Sequence, residues 1–314
     1  MKNIKVISLI LFGLFSAGCN SISEPPVSAQ VFAVLTTVNV TSQVSRDTSI
    51  TVVPVDAAAS ADGRGGVTVS GTSGGAVTFE ASDLALMPNN AYVLKKPVDA
   101  NGIEQKLVLG GARNNFKYGD YGYWMETDTK ANKVSNWAPF VMFSADNMSV
   151  NIPKNDGTTY AYSGRVLGGL DLYYDDINDA APEVFVETAE VTGNITLTAN
   201  FLNNSLSGAM SLNVNNTPWY NATISSTGGA QADGSFTGTI TLDNSYSGKF
   251  ALTSGVKGGY VTTFGGQFLG PDGKIPAEAL GQFSIISNPG SVNNFNGTGK
   301  GYRPEVYGSF GVKK

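Results

Sequence analysis

The sequence predicts an all-β protein, with a C-terminal closed antiparallel β-barrel of about eight strands preceded by a smaller β-rich domain. From Gly157 onward, large apolar residues alternate with Thr, Ser and Asn at period two, the repeat of a strand with one buried face. The 38 glycines, against 14% charged residues, favour turns and curved strands over helices. Before the alternation begins, Phe116, Tyr118, Tyr121, Tyr123, Trp124 and Trp137 crowd a short span, and side chains of this size in such density build a core of their own.

Residues 1–18 form a signal peptide: Lys2 and Lys5, the apolar run from Val6 to Phe15, and Ser16-Ala17-Gly18 ahead of Cys19. A spanning helix needs roughly 20 consecutive apolar residues, and this run is shorter and gives way to polar Asn20-Ser21. The one cysteine of the chain directly follows Ala17-Gly18. This site resembles the bacterial lipobox, with Ser16 where that motif prefers Leu. The resemblance implies that Cys19 becomes the first residue and carries a thioether diacylglycerol and an amide-linked fatty acid such as palmitate. That covalent lipid is the only prosthetic group expected, and the anchor ties the protein to a membrane. Residues 19–30, with Glu24-Pro25-Pro26, read as a polar tether.

Charge and composition exclude several functions. Without Lys2 and Lys5 there are 18 basic against 25 acidic residues, so the formal charge moves from −5 to −7. That balance argues against nucleic acid and anionic membrane surfaces as partners. There is no histidine, so a Ser-His-Asp triad, a Cys-His pair and a His-rich zinc site cannot be built. The chain is read as a binding protein and not an enzyme.

Residues 31–155 are read as the smaller β-rich domain. Its first strands fall in Val31 to Val40, Ile50 to Val55 and Val67 to Val69, separated by Ala/Ser/Asp/Gly stretches such as Ala57 to Gly66. The barrel domain occupies residues 156–314. Its expected strands are Tyr160-Tyr162, Ile195 to Phe201, Leu206 to Leu212, Phe236 to Leu242, Phe250-Leu252, Phe264 to Phe268, Phe283-Ile285 and Val306 to Val312. Eight is the number at which an up-and-down sheet closes around its own side chains. Glycines within the apolar faces leave room for large neighbours. A membrane-spanning barrel has the same period with the faces reversed, and the lipidated cysteine favours the filled interior.

The C-terminus carries the most specific pattern: Phe264-Gly265-Gly266-Gln267-Phe268-Leu269-Gly270-Pro271, Pro276-Ala277-Glu278-Ala279-Leu280-Gly281-Gln282-Phe283, and Tyr307-Gly308-Ser309-Phe310-Gly311-Val312-Lys313-Lys314. These segments resemble the closing strands of the transferrin-binding-protein-B-like barrel. Leu269 stands in place of the usual Tyr, Leu280 in place of the first Gly of a pair, and Val312 in place of Ala. Gly157-Thr158-Thr159-Tyr160-Ala161-Tyr162-Ser163-Gly164 is similar to the opening of that barrel. The resemblance implies one lobe, in which a small β-rich handle precedes the barrel. It also implies a surface lipoprotein of Gram-negative bacteria, moved across the outer membrane by a translocon of the surface lipoprotein assembly type. Such a protein is lipid-anchored, faces the cell exterior and meets a host protein or a small ligand.

Two groups of residues are candidates for partner contact. The first is the acidic stretch Asp171-Leu172-Tyr173-Tyr174-Asp175-Asp176-Ile177-Asn178-Asp179, read as a hairpin loop in which Asp175, Asp176 and Asp179 present carboxylates to a partner. It lacks the alternating ligands and central Gly of a calcium loop, so no metal is assigned. The second is Trp219-Tyr220, because Trp and Tyr dominate interface energetics, with core packing as the competing role. The leading function is binding of a host factor in colonisation. The alternative is nutrient capture, of haem or an iron-carrying protein, handed to an outer-membrane receptor. Replacing Cys19 with Ser should move the protein out of the membrane fraction, because the acyl chains are the expected anchor. Continued recovery with membranes would end the lipoprotein reading.

Overall fold

The computed structural model describes residues 39–42, 50–55, 66–72, 75–85, 91–111, 114–143, 145–149, 151–154, 157–176, 184–231, 233–243, 249–252, 259–287, 293–294 and 300–314. Cys19, the tether, the stretch from Val31 to Val38 and Asp179 lie outside the described residues.

Among the described residues, nine strands precede the barrel: Asn39–Ser42 (β1), Thr51–Val55 (β2), Gly66–Thr72 (β3), Gly75–Glu80 (β4), Leu84–Ala85 (β5), Tyr92–Lys95 (β6), Ile103–Leu109 (β7), Gly119–Asp128 (β8) and Lys133–Phe143 (β9). They make two antiparallel sheets, one ordered β1-β9-β8-β7-β6-β5 and the other β2-β3-β4. The larger sheet is covered on both sides. Leu107, Leu109, Trp124, Phe140 and Met142 pack against Val52, Val67, Val69 and Phe79 of the small sheet. The alternate residues Val108, Tyr121, Tyr123, Trp137 and Val141 pack against Leu167, Leu280 and Tyr307 of the barrel wall. A sheet buried on both faces reads as a near-continuous apolar run, which accounts for the aromatic density around Tyr121 and Trp137.

The remaining strands are Tyr160–Asp176 (β10), Val184–Asn200 (β11), Ser205–Val214 (β12), Thr217–Ala230 (β13), Ser235–Leu242 (β14), Tyr260–Leu269 (β15), Glu278–Ser287 (β16), Asn293–Asn294 (β17) and Lys300–Lys313 (β18). Strands β10 to β16 pair in sequence, β16 pairs β18, and β18 returns to β10 from Ser163 opposite Lys313 to Asp176 opposite Lys300. Eight antiparallel strands thus close a barrel, with β17 a short addition on β18. The apolar face points inward: Phe268, Phe283 and Phe310 are 0% exposed, whereas Thr196, Thr198, Thr237 and Thr239 are on the outside. This is the reverse of a membrane-spanning barrel, whose apolar residues face lipid.

The interior accommodates its rings by setting each against a glycine of the next strand. Phe236 lies opposite Gly266, Phe310 opposite Gly281 and Phe283 opposite Gly308. A Cβ on any of these three glycines would run into the facing ring. The Phe-Gly alternation of the sequence is therefore a cross-strand packing code.

Two expectations are corrected. Phe250-Leu252 is not a strand but an irregular segment, and the strand that takes its place in the barrel is β13. The acidic stretch is not a loop from its first residue: Asp171 to Asp176 continue β10, paired with β18 throughout.

Deleting Glu305 to Lys314 should abolish cooperative unfolding of the barrel. The deletion removes most of β18, exposes the edges of β10 and β16 together, and takes Val306, Phe310 and Val312 from the interior, where all three are 0% exposed. Each such side chain contributes on the order of 1.5 to 3 kcal/mol, against a typical net stability of roughly 5 to 15 kcal/mol. A thermal transition within a few degrees of the parent would show these residues to be dispensable.

Candidate functional site

The outer wall formed by β10, β18 and β16 carries the handle, meaning the β1–β9 domain, through interlocking contacts. The indole N–H of Trp137 donates to Asp171 at 2.9 Å, and Thr188 donates to the same carboxylate at 2.5 Å. Asp171 is 0% exposed, and a buried carboxylate is tolerated only when it is hydrogen-bonded in this way. The Trp137 ring lies over Gly169, where a Cβ would sit 2.9 Å from it, and meets Tyr307 edge-on with centroids 6.2 Å apart. The Tyr121 ring occupies the space beside Gly311 in the same manner. Ser309 donates to the Gly122 carbonyl at 2.7 Å and Gln282 to the Pro139 carbonyl at 3.2 Å.

The same junction holds ionisable groups away from water. Glu278 accepts the backbone N–H groups of Lys117 at 2.6 Å and Tyr118 at 3.0 Å, while its burial pushes the carboxyl above its ordinary range. Tyr123 donates its hydroxyl to Glu190 of β11. Burial, reinforced by the Glu190 charge, raises the Tyr123 phenol well above its usual value, so it remains a donor at any physiological pH. The Lys106 ammonium sits 5.2 Å from the Tyr123 ring centroid, and burial lowers its pKa against the opposing pull of Glu190. The junction is a rigid support, with its polar groups directed at one another across it.

Beyond this support, β10, β11 and β18 run on together past β12 and β16, with the short β17 paired to β18 at Tyr302 and Gly301. The pairing of β11 with β12 begins only at Val191, and that of β16 with β18 stops at Ile286 opposite Glu305. The turn between β12 and β13 closes the edge, with the Asn215 N–H donating to the Glu190 carbonyl at 2.9 Å and the Asn215 side chain accepting the Glu190 N–H at 3.1 Å. Val184 to Ala189 therefore pair on one side only, with β10. A bulge opposite Leu172 and Tyr173 leaves Val186 as the extra residue. One face of this extension stacks Tyr174 edge-on to Tyr302, and the other stacks Tyr173 against Phe185 and places the Arg303 guanidinium 5.0 Å from the Tyr173 ring centroid. Tyr174, Val184 and Val186 are 39%, 62% and 42% exposed, and the three lie together on this extension.

The candidate residues from the sequence divide accordingly. Asp175 and Asp176 are the last residues of β10 on this extension, opposite Gly301 and Lys300. Trp219 and Tyr220 are each 3% exposed and face the barrel interior. A bulge sets both of them against the single residue Leu212, which is how adjacent residues come to share one side of a strand. Trp219 donates to the Phe250 carbonyl at 3.0 Å, and the Tyr220 hydroxyl accepts the Leu252 N–H at 3.1 Å, so the pair holds the irregular segment in place. Sequence reasoning missed Asp171, Glu190 and Glu278. A signal was present for Asp171: in Val166 to Tyr174 both faces of the strand are apolar, which marks a wall covered from outside as well as inside.

No family model matches the chain, and no curated protein matches it. Among solved structures it is similar to intact Ap-TbpB with its N and C lobes, at TM-score 0.39 and 17% identity over 84% of this chain and 46% of that one. It is similar to a double mutant of transferrin binding protein B from Haemophilus parasuis Hp5, at TM-score 0.38 and 19% identity over 84% and 45% of the two chains. It is also similar to a surface lipoprotein, at TM-score 0.30 and 15% identity over 84% and 97%. The chain spans just under half the length of the first two.

Replacing Trp137 with Phe should lower stability by about 1 to 3 kcal/mol, because the buried Asp171 carboxylate loses a donor while most of the ring packing is kept. Trp137→Ala should cost more, about 3 to 5 kcal/mol, by opening a cavity at the junction. Denaturant midpoints of the two variants check this, and a Phe variant equal to the parent would show that the indole N–H contributes nothing.

Proposed function

We propose that the protein is a lipid-anchored lipoprotein of the outer membrane, facing outward, that binds a host factor through the β10–β11–β18 extension. The observation that carries this reading is the exposure of Tyr174, Val184 and Val186 on strands that leave the barrel together with Asp175 and Asp176. Exposed apolar groups rimmed by charge mark interaction surfaces more often than chance placement does. Loops and strand ends on a rigid support are where binding resides, and the closed barrel with its interlocked handle is such a support. The C-terminal motifs, which resemble the transferrin-binding-protein-B-like barrel, and Cys19 in its lipobox setting support the envelope location and the surface lipoprotein assembly translocon as export partner. A host protein is the favoured ligand. Haem or an iron-carrying protein remains the alternative within the same role.

Intact cells should lose the body of the protein to added protease, and protection until lysis would remove the outward-facing claim. Wild-type protein immobilised through its tether should retain a defined component of host serum or tissue extract, and the Val184→Glu, Val186→Glu double variant should lose it. Equal retention by the two would remove the extension from the reading, and a Soret shift on haem titration would put nutrient capture in its place.

A further inference from the structure

A cleft of about 620 Å³ opens on the outer wall of the barrel over β14, β15 and β16, beside the end of β9. Val141, Phe143 and Leu280 supply apolar surface, and Thr237, Thr263 and Gln267 supply polar groups. Among the described residues no Asp, Glu, Lys or Arg lines it. That volume is on the scale of small-molecule sites, roughly 300 to 1,000 Å³, which are apolar with a few placed polar groups.

Gly265, on the wall of the cleft, differs from the glycines around it. At Gly266 and Gly281 an added Cβ would strike a carbonyl and a phenylalanine ring, so packing dictates both. At Gly265 the nearest atom is the Phe236 carbonyl oxygen at 3.3 Å, followed by the Thr237 methyl at 3.8 Å. The Gly265 φ is not in the left-handed region. A glycine inside a strand weakens it and often marks a place where a ligand or another backbone approaches closely; at Gly265 a Cβ would meet only a tight 3.3 Å approach to one carbonyl, a milder conflict than at Gly266 or Gly281. Alternation with the inward Phe264 and Gly266 sets position 265 on the outer face, so a side chain there would stand in the cleft.

The wall is also splayed where it borders the cleft. Backbone pairing of β14 with β15 ends at Gly238 opposite Phe264. Past that point the Thr262 hydroxyl accepts the Ile240 N–H at 3.0 Å and donates to the Ile240 carbonyl at 3.2 Å, and the Tyr260 hydroxyl accepts the Leu242 N–H at 3.1 Å. Side chains replace the direct ladder and hold the strands apart.

We propose that this cleft binds an uncharged small molecule with an apolar face, seated against Gly265 and directing its polar edge toward Thr237, Thr263 and Gln267. A charged ligand would lose its hydration without meeting a counter-charge, and the volume is too small for a protein surface. The site uses none of the residues of the β10–β11–β18 extension, so it stands independently of host-factor binding.

The test uses the full lipidated chain and 4-hydroxybenzophenone, a neutral photoreactive probe with two apolar rings and one hydroxyl. Irradiation followed by peptide mapping should give saturable labelling on the peptides that contain β9 and β14 to β16. Gly265→Leu, which fills the cleft, should abolish that labelling while the thermal melt stays within a few degrees of the parent. Thr263→Phe, at an exposed position on the same wall, serves as a second plug should the first variant fold poorly. Labelling that never saturates, that spreads over the surface, or that survives a correctly folded plug would overturn the proposal. Host-factor capture by the plugged variants should be unchanged.

Discussion

The ladder between β10 and β18 is the interaction on which the rest of the structure depends. It closes the barrel, so the interior becomes a finite space that the phenylalanines fill against facing glycines. Its outer face is the floor on which the handle rests, since Leu167, Gly169 and Asp171 come from β10 and Tyr307, Ser309 and Gly311 from β18. Its far end outruns β16 and, together with β11, becomes the extension that carries Tyr174, Asp175 and Asp176. Closure, docking and the exposed end are therefore one long antiparallel pairing read at three heights, and a slip of one residue in its register would invert all three.

The two layers stacked on this ladder are held by different physics. Inside, stability comes from ring area removed from water, with glycines making the geometry possible and few polar groups involved. At the junction, the handle brings Trp137 and Tyr123 as donors to the buried Asp171 and the half-buried Glu190 of the barrel. A buried hydrogen-bonded pair adds little net stability but is costly to break, so it specifies one arrangement of handle on barrel. The raised phenol of Tyr123 keeps its donated proton throughout the neutral range, so that arrangement does not depend on pH there through this group. A support of this kind keeps distant strand ends in fixed positions relative to one another.

Much of the barrel was legible in the sequence because a half-buried strand writes its own period. Seven of the eight expected segments lie in barrel strands, and the remaining one exchanged places with β13 for a local reason. In β13 a bulge turns Trp219 and Tyr220 to the same side, and Ala222 and Ile224 are too small a signal to restore the alternation, whereas Phe250 and Leu252 imitate it while packing as a loop. The acidic stretch misled in the opposite way. Asp171 looks like a solvent-facing carboxylate in the sequence, and its partners, Trp137 and Thr188, are 34 and 17 residues away. The layering of the handle was not legible either, because the pairing of β1 with β9 and the packing of β2–β4 on the larger sheet are set by contacts distant in sequence.

The extension and the cleft differ in shape and surface, and that difference decides what each can hold. On the extension, Val184 to Ala189 lack a β12 partner, and Tyr174, Val184 and Val186 present exposed apolar area there. At the cleft, Val141 and Phe143 of the handle stand on one side and the barrel wall over the paired stretch of β14 and β15 on the other, so the space is concave, small and lined by no charged side chain among the described residues. Exposed apolar strand ends suit a macromolecule, and a concave neutral cleft suits a small molecule. The handle thus has two geometric effects from one docked position: it braces the ladder that projects the extension, and through Val141 and Phe143 it supplies one side of the cleft.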